Sequence, residues 1–287
     1  MLQVQKVSTD WANGIPSGLT WYIIGQPKTG KTTQASKWSS NGQDGVLLID
    51  TDLGADFVDG ANVITVNELN PPTRYKMKDG IKILKDGKEQ KELIPPEERG
   101  FFHRSGPEKG KPMPVYSLAE VVADLMQNWD KYSFDTIVLD TLDQVNEWIE
   151  KTVTKEMNID NMGDGQWGSD WAMARKRNLD IVKKLQTFLK KVGGNLVLTS
   201  HAKHSALIDD KVQLAPSLPG GLGRSICAKA DVIGYATIGK DKEGRILSFR
   251  GYDERMIGSR LRPLAQKSLP FSYEKIIKEI NAYKEGE

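Results

Sequence analysis

Four short, mainly apolar runs stand out of an otherwise polar chain: residues 19–24, 46–49, 136–139 and 196–198. Their near-continuous hydrophobicity predicts strands buried on both faces of a parallel sheet. Each run closes on glycine or on polar residues: Gly25, Asp50, Asp140, and the trio Thr199, Ser200 and His201. Residues 61–66 predict a further short strand. Elsewhere the period lengthens. Leu118, Val121, Val122, Leu125 and Met126 recur at helical spacing behind Ser117, with Glu120 three residues on. That pattern predicts a helix over 117–129 opened by a capping box. Residues 142–153 predict another helix. A longer one ends at Val192, before Gly193 and Gly194, and 273–283 predicts an amphipathic closing helix. Trp167 and Trp171 lie four apart and read as core side chains, with base-stacking platforms as the other reading. Residues 231–238 and 245–249, joined by the polar turn 239–244, predict an antiparallel pair.

Strands alternating with helices predict an α/β fold: a mostly parallel central sheet flanked by helices, with the antiparallel pair at its C-terminal side. One stretch breaks the alternation. Residues 71–114 hold Pro71, Pro72, Pro95 and Pro96, two Asp-Gly turns and many lysines. Residues 81–84 and 90–94, flanking Asp86 and Gly87, predict a small hairpin. Residues 74–112 carry 11 Lys and Arg against 7 Asp and Glu, so this inserted β-rich region is locally basic. It reads as a solvated decoration or as an arm for a partner or nucleic acid. The expected organisation is one domain over 1–287 carrying that insertion, with a helical tail over 265–287.

The decisive chemistry lies between the first strand and the first helix. Gly25, Gln26, Pro27, Lys28, Thr29, Gly30, Lys31, Thr32 and Thr33 contain the pattern G-x-x-x-x-G-K-[ST] at every fixed position. The strand before it and the uninterrupted helix expected over 32–38 make the match a phosphate-binding loop. Gly25 and Gly30 allow backbone paths that a β-carbon would obstruct. The loop N–H groups then form an anion nest. Lys31 is expected at the β- and γ-phosphates of ATP, and Thr32 at Mg²⁺. Lys28 reads either as a second charge at the phosphates or as an exposed lysine. Asp140, closing a β-branched and apolar strand downstream, is expected to hold the same Mg²⁺ from the opposite side. His201, also at a strand end, is placed to sense the γ-phosphate or the attacking water.

The remaining composition narrows the setting. Among 287 residues, 40 basic and 38 acidic side chains give a net charge of +2, so no global field demands nucleic acid. A single cysteine, Cys227, excludes an internal disulfide and suits a reducing cytoplasm. No run approaches a membrane span, and residues 1–6 lack a signal-peptide core.

The order of these motifs resembles the RecA class of phosphate-loop NTPases. There the strand after the phosphate-loop helix ends in an acid that polarises water, the position held here by Asp52. More closely, the chain resembles the phage-encoded AAA-type nucleotide-binding proteins related to the Sak single-strand-annealing recombinases. The resemblance is carried by residues 25–33, 47–52, 136–140 and 197–201, followed by Leu218, Pro219, Gly220, Ala230, Asp231 and Val232. It covers about 20–235 and implies a reduced RecA-like ATPase. Asp52 departs from the usual glutamate by one methylene, and the resemblance does not place the 71–114 insertion.

The resemblance implies an ATPase that binds single-stranded DNA in phage-type recombination or annealing. Lys31, Asp52 and His201 are then the catalytic set. The segment after the sensor strand would contact DNA through Lys203, His204, Lys211 and Arg224. RecA-like sites commonly form between subunits, so a homo-oligomer is expected, with Arg224, Arg250 or Arg260 completing a neighbour's site. A single-strand-binding or other recombination protein is a further expected partner. The rival reading is a nucleotide-dependent switch that engages a protein through the insertion. A small-molecule kinase is a third, disfavoured because no Arg-rich lid follows a substrate strand. No guanine-reading signature is present, so ATP is the expected nucleotide.

Overall fold

A computed structural model describes residues 16–208, 211–239, 244–251 and 256–283. In chain order the first elements are β1 (Thr20–Gly25), α1 (Lys31–Ala35), β2 (Val46–Asp50) and β3 (Asn62–Glu68). The insertion supplies β4 (Thr73–Tyr75), β5 (Met77–Lys78), β6 (Ile81–Lys82), β7 (Leu84–Lys85), β8 (Lys88–Glu89) and β9 (Lys91–Leu93). Then come β10 (Tyr116–Ser117), α2 (Leu118–Asn128), β11 (Thr136–Asp140), α3 (Leu142–Met157), α4 (Ser169–Val192), β12 (Asn195–Ile208) and β13 (Lys211–Pro216). The chain ends with α5 (Leu222–Cys227), β14 (Val232–Ile238), β15 (Arg245–Ser248), β16 (Gly258–Ser259), β17 (Ser268–Pro270) and α6 (Tyr273–Asn281).

The main sheet runs β10-β3-β2-β11-β12-β1-β14-β15-β17. Every pairing from β10 through to β14 is parallel. The last two are antiparallel. This is the expected mostly parallel sheet with its C-terminal antiparallel pair. Successive strand residues serve opposite faces. Tyr22, Ile24, Leu47, Ile49, Ile137, Leu139, Leu196 and Leu198 pack against α2, α3, α4 and α5. Trp21, Ile23, Val46, Leu48, Val138 and Val197 pack on the other face with Trp38 and with Ile276 and Ile280 of α6. Both faces are covered, which is why these runs lack alternation.

Two expected elements change length. α1 ends at Ala35 instead of Trp38, because the chain tightens through Ser36 and Lys37 to bury the Trp38 indole edge-on to Trp21, 5.2 Å between ring centroids. β12 does not stop at His201. It continues to Ile208 and pairs antiparallel with β13. Its turn, Asp209 and Asp210, lies outside the described residues. The tryptophans also depart from the core reading. Trp167 is fully exposed at φ +57° and Trp171 half-exposed. Asp170 is the buried residue instead, accepting the backbone N–H groups of Gly163 and Trp171.

The insertion contains three small antiparallel ladders instead of one hairpin: β4 with β9, β5 with β6, and β7 with β8. Asp79-Gly80 and Asp86-Gly87 both have positive φ at both positions, the geometry of the two-residue turns that match strand twist. Arg99 pins this region to the sheet. Its side chain is 2 % exposed and paired with Glu120. It also donates to the carbonyls of Ile94 and Val115. Glu120 closes the capping box of α2, accepting Ser117 N–H at 2.8 Å.

The Arg99 guanidinium holds the Glu120 carboxyl down at about 2, against an ordinary 4.5. A depressed acid stabilises the fold above its unfolded value and loses that contribution as pH falls towards its folded value. Glu120→Gln is therefore expected to cost about 2 kcal/mol near neutral pH, since a buried guanidinium loses its partner. Urea denaturation should show this difference shrinking between about pH 4.5 and about pH 2. A pH-independent difference would assign the loss to packing.

Candidate functional site

The turn between β1 and α1 is closed on itself. A β-carbon on Gly25 would stand 2.7 Å from the carbonyl oxygen of Ala236 in β14. Gly30 takes φ +85°. Thr29 Oγ1 donates to the Gln26 carbonyl at 2.9 Å, and the Gln26 amide donates to the Ala202 carbonyl. Lys31 is buried inside this turn, with Nζ donating to the carbonyls of Gly25 and Gln26 at 3.0 and 3.1 Å. Burial lowers the pKa of the Lys31 ammonium, opposed by the charges of Asp140, Asp143 and Asp52. Pro27 and Lys28 are exposed at the tip, Lys28 with φ +66°. Thr33 is half-buried at the start of α1.

Asp140 is the junction of the site. Sheet register sets it beside Asp50 on one flank. Its Oδ2 accepts the Thr32 hydroxyl at 2.6 Å, and its Oδ1 accepts the Thr199 hydroxyl. The Asp140–Thr141 peptide is cis. Thr51 ties the two strand ends together: its N–H donates to the Asp140 carbonyl and its hydroxyl to the Thr141 carbonyl. Sequence reasoning named Thr32 and Asp140 but gave Thr199 no role of its own. Its signal was its place one strand over from Asp140, visible only once β12 is known to lie beside β11.

The two acids at the end of β2 separate in role. Asp50 is buried and accepts N–H groups from Gly54 and Ala55 at 3.1 and 3.0 Å, shaping the loop after the strand. Burial nevertheless raises its carboxyl to about 6. Asp52 stands at the exposed rim of the same loop. Its pKa is also raised, first by partial desolvation in the cleft and then by the nearby Asp140 charge. Asp52 therefore borders the cleft that holds Lys31 and Asp140.

His201 lies in register with Gly25, at the place where β12 leaves the sheet. Its N–H donates to Asp143 Oδ2 at 3.0 Å, and its Nδ1 lies 3.9 Å from the other carboxylate oxygen. Asp143, in the first turn of α3, was not singled out from the sequence. Burial raises its pKa, countered by the His201 N–H and the Ser200 hydroxyl. Ser200 in turn accepts the buried Tyr22 hydroxyl at 2.8 Å.

The expected DNA-contact residues are not equivalent. Lys203 is half-buried, and its Nζ donates to the Leu218 carbonyl at 2.5 Å, so its ammonium holds the 202–218 connection together. Arg224 is exposed on α5. His204 and Lys211 lie on the β12–β13 ladder, and their side chains fall outside the described residues. Arg260 pairs with Asp231 at 3.0 Å and donates to the Ala228 carbonyl, whereas Arg250 is exposed.

A family model described as an AAA domain matches residues 17–261. The chain belongs to the AAA domain family. No curated protein matches the chain. The AAA domain is of the nucleotide-binding, phosphate-loop NTPase type, and the match takes in every residue from Gly25 to His201 placed above. The expected AAA-type nucleotide-binding character is thus met at the level of the domain family. Among the described residues no helix is long and apolar enough to cross a membrane.

The AAA domain's site has a donor set that fits Mg²⁺. Thr32 and Asp140 offer hard oxygen atoms in direct contact. The charges of Asp140, Asp143 and Asp52 all act on Lys31, and burial raises the pKa of Asp50, Asp52 and Asp143. Among the described residues no group of three or more His, Cys, Asp or Glu is arranged to hold a metal alone. Mg²⁺ is usually held through one or two carboxylates together with substrate phosphates. When bound, the ion offsets phosphate charge.

Proposed function

We propose that this protein is a Mg²⁺-dependent, RecA-like ATPase, built as one domain, that binds single-stranded DNA in phage-type recombination or annealing. The reading rests on one observation above others. Asp140 joins Thr32 of the phosphate loop to Thr199 of β12, and β12 then runs on as one strand into the β12–β13 hairpin. Nucleotide state at Asp140 therefore has a short mechanical path to that hairpin. Lys31 and Thr32 would hold ATP and Mg²⁺, Asp52 would orient water, and His201 with Asp143 would report the γ-phosphate. Lys203 is committed to Leu218, whereas Arg224 is exposed and available for backbone contact. A homo-oligomer with shared sites belongs to the same reading. Arg250 and Arg224 are the candidates to act in trans, because Arg260 is already paired within its own chain. A single-strand-binding or other recombination protein is a further proposed partner, in a cytoplasmic setting where buried Cys227, its thiol pushed up to about 12, stays inert.

A second reading draws on the insertion, where Ile81, Leu84, Leu93 and Phe102 are exposed among lysines. That surface favours a nucleotide-dependent switch whose partner is a protein. ATP turnover with and without single-stranded DNA, at low and high salt, separates the two. The DNA reading expects severalfold stimulation that fades at high salt. Turnover indifferent to DNA, with no salt-sensitive binding, would leave the switch reading.

A further inference from the structure

The hairpin at the far side of the sheet brings an arginine to the phosphate loop. β14 lies directly beside β1, and β15 returns antiparallel to it with Arg245 opposite Ile238. The Arg245 carbonyl also accepts the Phe271 N–H at 2.8 Å, so its backbone is held from two sides. Its side chain lies across Gly30. A β-carbon on Gly30 would stand 2.2 Å from Arg245 Nε, 2.5 Å from Cδ and 2.9 Å from Cζ. The positive φ of Gly30 favours glycine, and the Arg245 guanidinium packs into the space that a β-carbon would take. Among the described residues, no carboxylate forms an ion pair with Arg245. The side chain is exposed to solvent on its outer side.

A planar cation seated on the residue before Lys31 is placed for phosphate. We propose that Arg245 binds the polyphosphate of the nucleotide held by its own chain, as a cationic partner to Lys31 acting in cis. The sequence hides this, since 214 residues separate Lys31 from Arg245. Guanidinium suits the task because its fork of N–H donors matches phosphate oxygens and its charge does not titrate away. Arg245 is also distinct from Arg224, Arg250 and Arg260, the residues considered for action on a neighbouring subunit. The cost of removing it is set by a charge-assisted hydrogen bond at a partly exposed position, about tenfold in affinity.

The proposal rests on the reading of residues 25–33 as the triphosphate site, so the test carries both. Calorimetric binding of ATP with Mg²⁺ is measured for the wild-type chain and for Lys31→Ala, Arg245→Gln and Arg245→Lys. Wild-type binding abolished by Lys31→Ala establishes the site. Arg245→Gln is then expected to weaken ATP about tenfold, with the deficit shrinking at high salt and Arg245→Lys recovering most of it. Wild-type affinity in Arg245→Gln would overturn the proposal alone. So would an equal, salt-insensitive loss in both Arg245 variants, which would mark a packing role. Turnover restored by mixing Arg245→Gln with Lys31→Ala chains would overturn the assignment in cis. Normal ATP binding by Lys31→Ala would overturn the site and the proposal together.

Discussion

Lys31→Ala is expected to weaken ATP binding about a hundredfold or more, with the fold retained. The ammonium is buried, and its neighbours are two backbone carbonyls and the charges of Asp140, Asp143 and Asp52. Alanine removes the positive charge that faces these three carboxylates, so an incoming polyphosphate meets an uncompensated negative field. Removing two charge-assisted hydrogen bonds to phosphate at a desolvated position is enough for that effect. The turn itself should survive, because Thr29 still closes on Gln26 and Gly25 still abuts Ala236. Calorimetric titration with Mg²⁺-ATP, beside a thermal melt of the free protein, checks both halves. Undiminished binding would remove residues 25–33 from the nucleotide site. The depressed Lys31 pKa adds a pH signature. Affinity carried by its charge is present below the folded pKa and lost as pH rises through it, earlier than for an exposed lysine.

Much of this site was legible because its parts obey local rules. The strands announce themselves through burial on both faces, and their polar terminal residues follow from where a parallel sheet opens to solvent. Ser117 and Glu120 mark the start of α2 through a bond between neighbours three apart, which spacing alone predicts. What escaped depends on contacts between distant segments. Thr199 matters because β12 lies beside β11, and Asp143 matters because His201 N–H reaches it from 58 residues away. Arg245 matters because a C-terminal hairpin folds onto the first turn. β12 continues past His201 because a partner strand, β13, satisfies its backbone where the sheet no longer does. α1 is cut short by the burial of Trp38, a tertiary demand that helical propensity does not register. Trp167 shows the converse: an aromatic residue reads as core by type, yet a left-handed backbone between glycines turns it outward.

Asp52→Asn should retain ATP binding while turnover falls about a hundredfold, the lower range for loss of a positioned general base. The choice of Asp52 over Asp50 follows from their bonds. Asp50 spends both carboxylate oxygens on the N–H groups of its own loop, so its substitution would deform the loop and report on structure. Asp52 borders the cleft at the exposed rim, within the electrostatic reach of Asp140 and Lys31. Its raised pKa makes it a better proton acceptor than an ordinary aspartate, and activity through it should be lost as pH falls through that raised value. Neutralising it also relieves repulsion of phosphate, so ATP binding should hold or tighten slightly. Single-turnover hydrolysis set beside equilibrium binding separates these effects. Turnover unchanged in Asp52→Asn would pass the role to Asp143, the remaining acid whose pKa is raised and whose carboxylate is already aligned with His201. In that case the shorter side chain at 52 would be the reason, since a carboxylate that falls one methylene short cannot hold water at hydrogen-bonding distance from the phosphate.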